Sequence, residues 1–126
     1  MSWQAYVDTN LVGTGTISKA AILGQQGGVW AASPGYNLST EEQNAVVNAF
    51  KNLAGVQTSG LHLAGVKFFT TTTDERTING KKGGDGYVIV KTVQAIIVAE
   101  YAPPIQAQEA AKVVQGLADY LVGAGY

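Results

Sequence analysis

Gly86-Tyr87-Val88-Ile89-Val90-Lys91 and, after three residues, Ala95-Ile96-Ile97-Val98-Ala99 form the stretch from which the rest of the chain can be placed. Both runs are apolar and rich in residues that suit strands. A link this short leaves no room for a crossover helix, so the two strands must pair antiparallel. Upstream, Leu61-His62-Leu63, a turn at Ala64-Gly65, and Val66-Lys67-Phe68-Phe69 running into Thr70 to Thr73 continue the pattern. Arg76 to Ile78 follows; Asn79-Gly80 reads as a turn dipeptide, and Gly83-Gly84-Asp85-Gly86 as the break before Tyr87. Further back, Ala20 to Gly24 and Val29 to Ala32 flank Gln25-Gln26-Gly27-Gly28 and read as a hairpin.

Helical signals surround these strands. Ser39 and Glu42 make a capping box ahead of Val46, Val47, Phe50 and Leu53 at helical spacing. Trp3, Val7 and Leu11 share a helical stripe with Tyr6 beside it, stopped by Gly13 and Gly15. Downstream, Pro103-Pro104 end the last strand and open a helix, whose buried face is Ala110, Val113, Val114, Leu117, Ala118 and Leu121, with Lys112, Gln115 and Asp119 towards water. The order helix, hairpin, helix, strands, helix is not the alternation of a parallel sheet. It predicts an α+β fold with a mainly antiparallel sheet of about six or seven strands covered by helices.

Composition narrows the function classes. The 126 residues suit one domain, 46% are hydrophobic and only 13% charged, which excludes wholesale disorder. A formal net charge of -1 argues against a nucleic-acid binder. No apolar run reaches a membrane span, the first residues lack the order of a secretory signal, and there is no cysteine, so a soluble cytosolic chain without thiol chemistry is expected.

Two groups of residues stand out. Trp3 and Tyr6 near the start and Tyr120 and Tyr126 near the end carry enough apolar area to dock against each other. A patch of such rings suits a flat, apolar ligand, best a proline-rich peptide in the polyproline II form. The second group is basic: Lys67, Arg76, Lys81, Lys82 and Lys91 gather five of the eight Lys and Arg residues between positions 67 and 91. It reads as a docking face for an acidic protein surface or a phosphoinositide headgroup. Catalytic signals are weaker. The single histidine, His62, lies in a strand, and Asp74 and Glu75 adjoin in a loop; a small enzyme using His62 with one of them is the rival reading. Gly80-Lys81-Lys82-Gly83-Gly84 lacks the spacing of a phosphate loop.

With these residues in place, the chain resembles the profilin family, most closely its short members from amoebae, slime moulds and fungi. The resemblance is carried by Ser2-Trp3-Gln4-Ala5-Tyr6-Val7-Asp8, Leu11-Val12-Gly13-Thr14-Gly15, Val29-Trp30-Ala31, Gly80-Lys81-Lys82-Gly83 and Leu117-Ala118-Asp119-Tyr120-Leu121. It runs end to end, as a single domain over residues 1–126. It implies terminal helices packed together on one face of the sheet and other helices on the opposite face. It also implies a cytoplasmic, cytoskeletal, monomeric protein without catalysis, cofactor or metal, which binds monomeric actin and proline-rich proteins such as formins. The polyproline groove implied is Trp3, Tyr6, Trp30, Tyr120 and Tyr126. The actin face implied is Lys67, Phe69, Arg76, Lys81, Lys82, Lys91, Ile105, Gln106, Ala111 and Lys112, with Lys67, Arg76, Lys81 and Lys82 available to a phosphoinositide. The chain departs from many relatives in carrying Asn79 where they carry Tyr, and in its Thr70 to Thr73 run.

Overall fold

In the computed structural model, which describes residues 2–126, Tyr87 to Lys91 lies in β6 (Asp85–Lys91) and Ala95 to Ala99 in β7 (Ala95–Tyr101). They pair antiparallel, with Ile89 opposite Val98. Thr92 closes the link: its Oγ1 accepts from the Ala95 N–H at 3.0 Å. The remaining strands are β1 (Lys19–Gly24), β2 (Val29–Ala32), β3 (Leu61–Leu63), β4 (Val66–Thr73) and β5 (Thr77–Lys82). All seven join in the order β2-β1-β7-β6-β5-β4-β3, and every neighbouring pair is antiparallel.

All seven residues of β7 are buried, because side chains alternate between two separate cores. Ala95, Ile97, Ala99 and Tyr101, with Val88 and Val90, meet the terminal helices; Ile96 and Val98, with Tyr87 and Ile89, meet the middle of the chain. The first core is closed by α1 (Trp3–Ala5) and the turns that continue it, a π-turn over Tyr6–Leu11 and a 3₁₀ turn at Val12–Thr14. Beside it lies α4 (Ala107–Gly123), burying Ala110, Val114, Leu117, Ala118 and Leu121. The second core is closed by α2 (Thr40–Ala49) and α3 (Leu53–Ser59). The expected placement of helices on the two faces is therefore what the fold contains.

Several local expectations are corrected. The pattern running through Val46, Val47, Phe50 and Leu53 is split between two helices: α2 ends at Ala49, and Asn52 caps α3 by accepting from the Gly55 N–H at 3.0 Å. Gly55 therefore lies inside a helix instead of marking the change to strands. Asn79-Gly80 is not a turn but the middle of β5, and the turn falls at Gly83-Gly84, where Gly83 has φ +61°. Gly80 is needed for closeness, since a Cβ there would lie 2.2 Å from the Tyr87 ring and 2.5 Å from the Phe69 carbonyl oxygen. Lys81 and Lys82 consequently occupy a strand end and not a glycine-rich loop. The prolines do not open the last helix. It begins at Ala107, and the Glu109 carboxylate accepts from the Gln106 N–H at 3.3 Å. Gln115 turns partly inward and donates to the Thr77 hydroxyl at 2.9 Å.

The capping box reaches beyond its own helix. Glu42 accepts from the Ser39 N–H at 2.9 Å with one oxygen and from the Gly65 N–H at 2.8 Å with the other, fastening the β3–β4 turn, where Ala64 takes φ +50°. Burial pushes the Glu42 carboxyl up, but the N–H groups of Gly65, Ser39 and Ala64 outweigh it and bring it below the ordinary carboxylate value. A lowered folded-state pKa contributes stability above the unfolded value, which is lost as pH falls through the folded one. Glu42→Gln is expected to cost about 1–2 kcal/mol at pH 7. Urea unfolding should show that cost shrinking at pH 3.

Candidate ligand-binding site

The chain's two ends meet beside β2. Ser2 caps α1, its hydroxyl accepting from the Ala5 N–H at 3.1 Å, and the Gln4 side-chain amide donates to the Ala32 carbonyl of β2 at 2.8 Å. The other end is held by the β6–β7 link. The main-chain oxygen of Tyr126 accepts from the Thr92 hydroxyl at 2.7 Å and from the Gln94 N–H, and the Gln94 side chain donates to the Gly125 carbonyl at 2.9 Å. An end tied by this many bonds stays ordered.

These ties bring together all five aromatic residues expected of the groove. Trp3 is the hub, with ring centroids 4.7 Å from Trp30, 5.2 Å from Tyr126 in an edge-on arrangement, and 5.6 Å from Tyr6. Tyr6 continues the row to Tyr120 at 6.0 Å. These spacings are those of favourable aromatic pairs. Trp30, Tyr120 and Tyr126 remain exposed at 38%, 58% and 44%, whereas Trp3 and Tyr6 are half-buried. Gly24 makes room for the Trp30 indole, since a Cβ there would come within 2.8 Å of its Nε1. The Tyr120 hydroxyl beside it, with burial adding, holds the Tyr6 phenol above its ordinary value. Tyr6 is thus a neutral donor at physiological pH. A row of flat apolar faces edged with O–H and N–H donors can stack on pyrrolidine rings and donate to carbonyls that have no N–H partner.

The basic residues are dispersed by strand alternation. Phe69 of β4 stands opposite Lys81 of β5, and the Lys67 ammonium lies 5.9 Å from the Phe69 ring centroid. The Thr77–Gln115 bond puts Thr77 on the α4 side of the sheet, so Asn79 and Lys81 share that side. There the Asn79 amide donates to the Thr72 hydroxyl at 2.9 Å. Phe69 is 68% exposed, an apolar centre between two lysines. Lys82 alternates to the opposite side, and the Lys91 ammonium lies 5.6 Å from the Phe50 ring on the α2–α3 side. Arg76 sits in the β4–β5 turn, at the far end of β5 from Lys81. The β5–β6 turn backs onto Pro103, within 2.7 Å of a Cβ placed on Gly84. Ile105 and Gln106 come next in the chain, then Ala111 and Lys112 in α4. Lys67, Phe69 and Lys81 are thus brought together, while Lys82, Lys91 and Arg76 leave that group.

His62 is exposed on β3 opposite Lys67, and Asp74 and Glu75 lie beyond the other end of β4. The seven steps along the chain from Lys67 to Asp74 span roughly 23 Å of strand. The structure does not bring His62 to either carboxylate. Among the described residues no three histidine or acidic side chains converge to hold a metal ion, and no helix is long and apolar enough to cross a membrane.

The residues that hold the aromatic row, Gln4, Thr92 and Gln94, went unmarked in the sequence. They are ordinary polar residues whose partners lie far along the chain. Gly24 was read as a strand end, and only the indole lying across it shows its purpose.

A seven-stranded antiparallel sheet, terminal helices together on one face and an exposed aromatic row at their meeting point define a small two-sided α+β fold. The profilin family model matches residues 1–126, and the chain belongs to the profilin family. Profilin-2 of Acanthamoeba castellanii is 48% identical over 126 residues, covering 100% of both chains. Among solved structures, Acanthamoeba castellanii profilin IA superposes with a TM-score of 0.96 at 48% identity, over 99% of this chain and 100% of that one. Mouse profilin IIa in complex with a double repeat from the FH1 domain of mDia1 shares the fold, with a TM-score of 0.83 at 23% identity and 100% coverage of both chains.

Proposed function

We propose that the chain, acting as one domain, regulates actin by binding its monomer and holds proline-rich ligands on the aromatic row. The observation that carries the second half is the continuous run Tyr120, Tyr6, Trp3 and Tyr126 with Trp30, its centroids 4.7 to 6.0 Å apart and its outer rings exposed. A polyproline II helix is extended before it binds, so docking it on such a row costs little ordering entropy. Mouse profilin IIa, bound to a repeat from an FH1 domain, is a protein of this fold with a ligand of that class.

The actin half is supported by family membership and by the surface around Phe69, Lys67 and Lys81, and the resemblance adds Ile105, Gln106, Ala111 and Lys112 to it. An exposed aromatic between two cations fits an acidic protein surface, the lysines steering encounter and the ring supplying desolvated contact. Lys82, Arg76 and Lys91 then belong to the periphery. Any phosphoinositide headgroup would share Lys67 and Lys81, so it would compete with actin. In support of two separate surfaces, Trp30 on β2 and Phe69 on β4 stand five strand intervals apart, roughly 24 Å. A body of this kind can hold monomer and ligand at once and deliver one beside the other.

The test is polymerisation of purified actin with the chain added. Slower spontaneous assembly is expected, with Lys67→Glu plus Lys81→Glu weakening monomer binding about tenfold at low salt and much less at high salt. Polyproline binding by this double variant should not change. Assembly unaffected by the unaltered chain would sink the actin reading.

A further inference from the structure

β3 is an outer strand of the sheet, and among the described strands it pairs with β4 alone. Its register settles where its backbone groups point. Leu63 stands opposite Val66 across the two-residue turn Ala64-Gly65, whose φ values of +50° and +83° suit the type I′ turn of a tight hairpin. The residues flanking such a turn exchange both of their hydrogen bonds, so the next pair, His62 and Lys67, is of the non-hydrogen-bonded kind. The His62 N–H and C=O therefore point away from β4, to the open edge. Among the described residues no other group bonds to either of them.

That edge forms one wall of a groove of about 390 Å³, with Leu61 and His62 on the strand side and Glu41, Glu42 and Ala45 of α2 on the other. Glu41, Ala45 and Asn48 follow at helical steps of four and three, so the second wall runs along the α2 axis. Ala45 is exposed and small, which keeps the gap open. Beside the Ala64-Gly65 turn, a hollow of about 480 Å³ lined by Leu38 and Ala64 shares Glu42 with the groove. Both Glu42 oxygens are engaged by the N–H groups of Ser39 and Gly65. Glu41 is exposed, and its carboxylate is unclaimed among the described residues. Leu61 and Leu63 belong to the α2 side of the sheet, opposite the terminal helices and the aromatic row.

We propose that this groove takes an extended segment of another protein, which adds to the sheet as a strand beside β3 and carries a lysine or arginine next to the residue that pairs with His62. The pairing residue exchanges two backbone hydrogen bonds with His62, and its neighbours direct their side chains to the α2 side, as Leu61 and Leu63 do. In the antiparallel sense the following residue comes beside Leu61, where Glu41 meets its cation. The preceding residue comes beside Leu63 and the second hollow, which suits a small apolar side chain. A helix has no free backbone groups to offer such an edge. A second copy of this chain would bring its own Glu41 to the same seam as a like charge, which disfavours it. An edge one residue long limits uncontrolled pairing and makes the contact weak and reversible.

The test is an amide NMR titration of the full chain with the peptide Thr-Thr-Val-Thr-Lys-Thr-Thr, blocked at both ends, and with two relatives. One has Glu in place of Lys; the other is N-methylated on the threonine between Val and Lys. At millimolar peptide the His62 N–H signal should move downfield and become protected from exchange. At low salt the lysine peptide should bind roughly three- to fivefold tighter than the glutamate one, the scale of a single exposed ion pair. That difference should fade as salt is raised and vanish in Glu41→Gln. N-methylation, which removes the donor that the His62 carbonyl needs, should abolish binding with the protein untouched. Ala45→Leu should close the groove and leave thermal unfolding unchanged. A His62 amide that does not move would overturn the proposal, and so would binding that survives N-methylation, since the contact would then rest on charge alone. Movement of the same amide with chain concentration, before peptide is added, would also overturn it by giving the edge to a second copy.

Discussion

Trp3→Ala abolishes retention of the chain on immobilised polyproline. The expectation follows from position: Trp3 alone touches three of the other four rings, at 4.7, 5.2 and 5.6 Å. Its removal takes away a stacking surface and lets Trp30, Tyr6 and Tyr126 relax away from a common plane of contact. A central aromatic anchor is worth about 2–4 kcal/mol, which weakens binding roughly 30- to 1000-fold. Trp3 is also half-buried against the core of the terminal helices, so part of the effect could come from loosening that end. Tyr120→Ala separates the two. Tyr120 is 58% exposed, and its loss should weaken binding by about 1–2 kcal/mol with unfolding unchanged. Retention of both variants at the level of the unaltered chain would show that proline is held somewhere other than these rings.

Gly80→Ala destabilises the fold by about 2–4 kcal/mol, read as a lower urea midpoint with an unchanged slope. The added methyl has no place to go. It would lie 2.2 Å from a ring carbon of Tyr87, and that ring is fully buried, set edge-on to Phe68 with centroids 5.5 Å apart. On another side, 2.5 Å away, is the Phe69 carbonyl oxygen of the neighbouring strand, which cannot retreat without breaking the ladder. Gly83→Ala is the comparison, since φ +61° strains alanine but nothing lies within 4 Å, so about 1 kcal/mol is expected. Equal costs for the two would mean that Gly80 serves as a turn residue after all.

That contrast shows where sequence reading succeeds and fails. Ser39 and Glu42 were legible because a capping box is complete within four residues, and Ala110 to Leu121 because a buried helical face repeats along one element. Asn79-Gly80 was misread because the same dipeptide serves tight turns and close strand packing, and only the Tyr87 ring on the next strand decides between them. The lysines failed in a similar way. Adjacent numbers suggested one patch, but alternation along a strand sends Lys81 and Lys82 to opposite faces. The split between α2 and α3 was missed because the apolar spacing runs on through it, and the break is made by Asn52 capping a new helix.

By itself the sequence determined the antiparallel character of the sheet, the capping box of α2, the buried face of α4 and which rings were candidates for a ligand. Those properties are set by chemistry within a few residues: caps, apolar periodicity and links too short to cross over. The tertiary structure decided how the two ends are tied together and how closely Trp30 meets them, its ring centroid 4.7 Å from that of Trp3. Those depend on β1 pairing with β7 and on Thr92 and Gln94 holding Tyr126. Contacts between residues far apart in the chain leave no periodic trace in it.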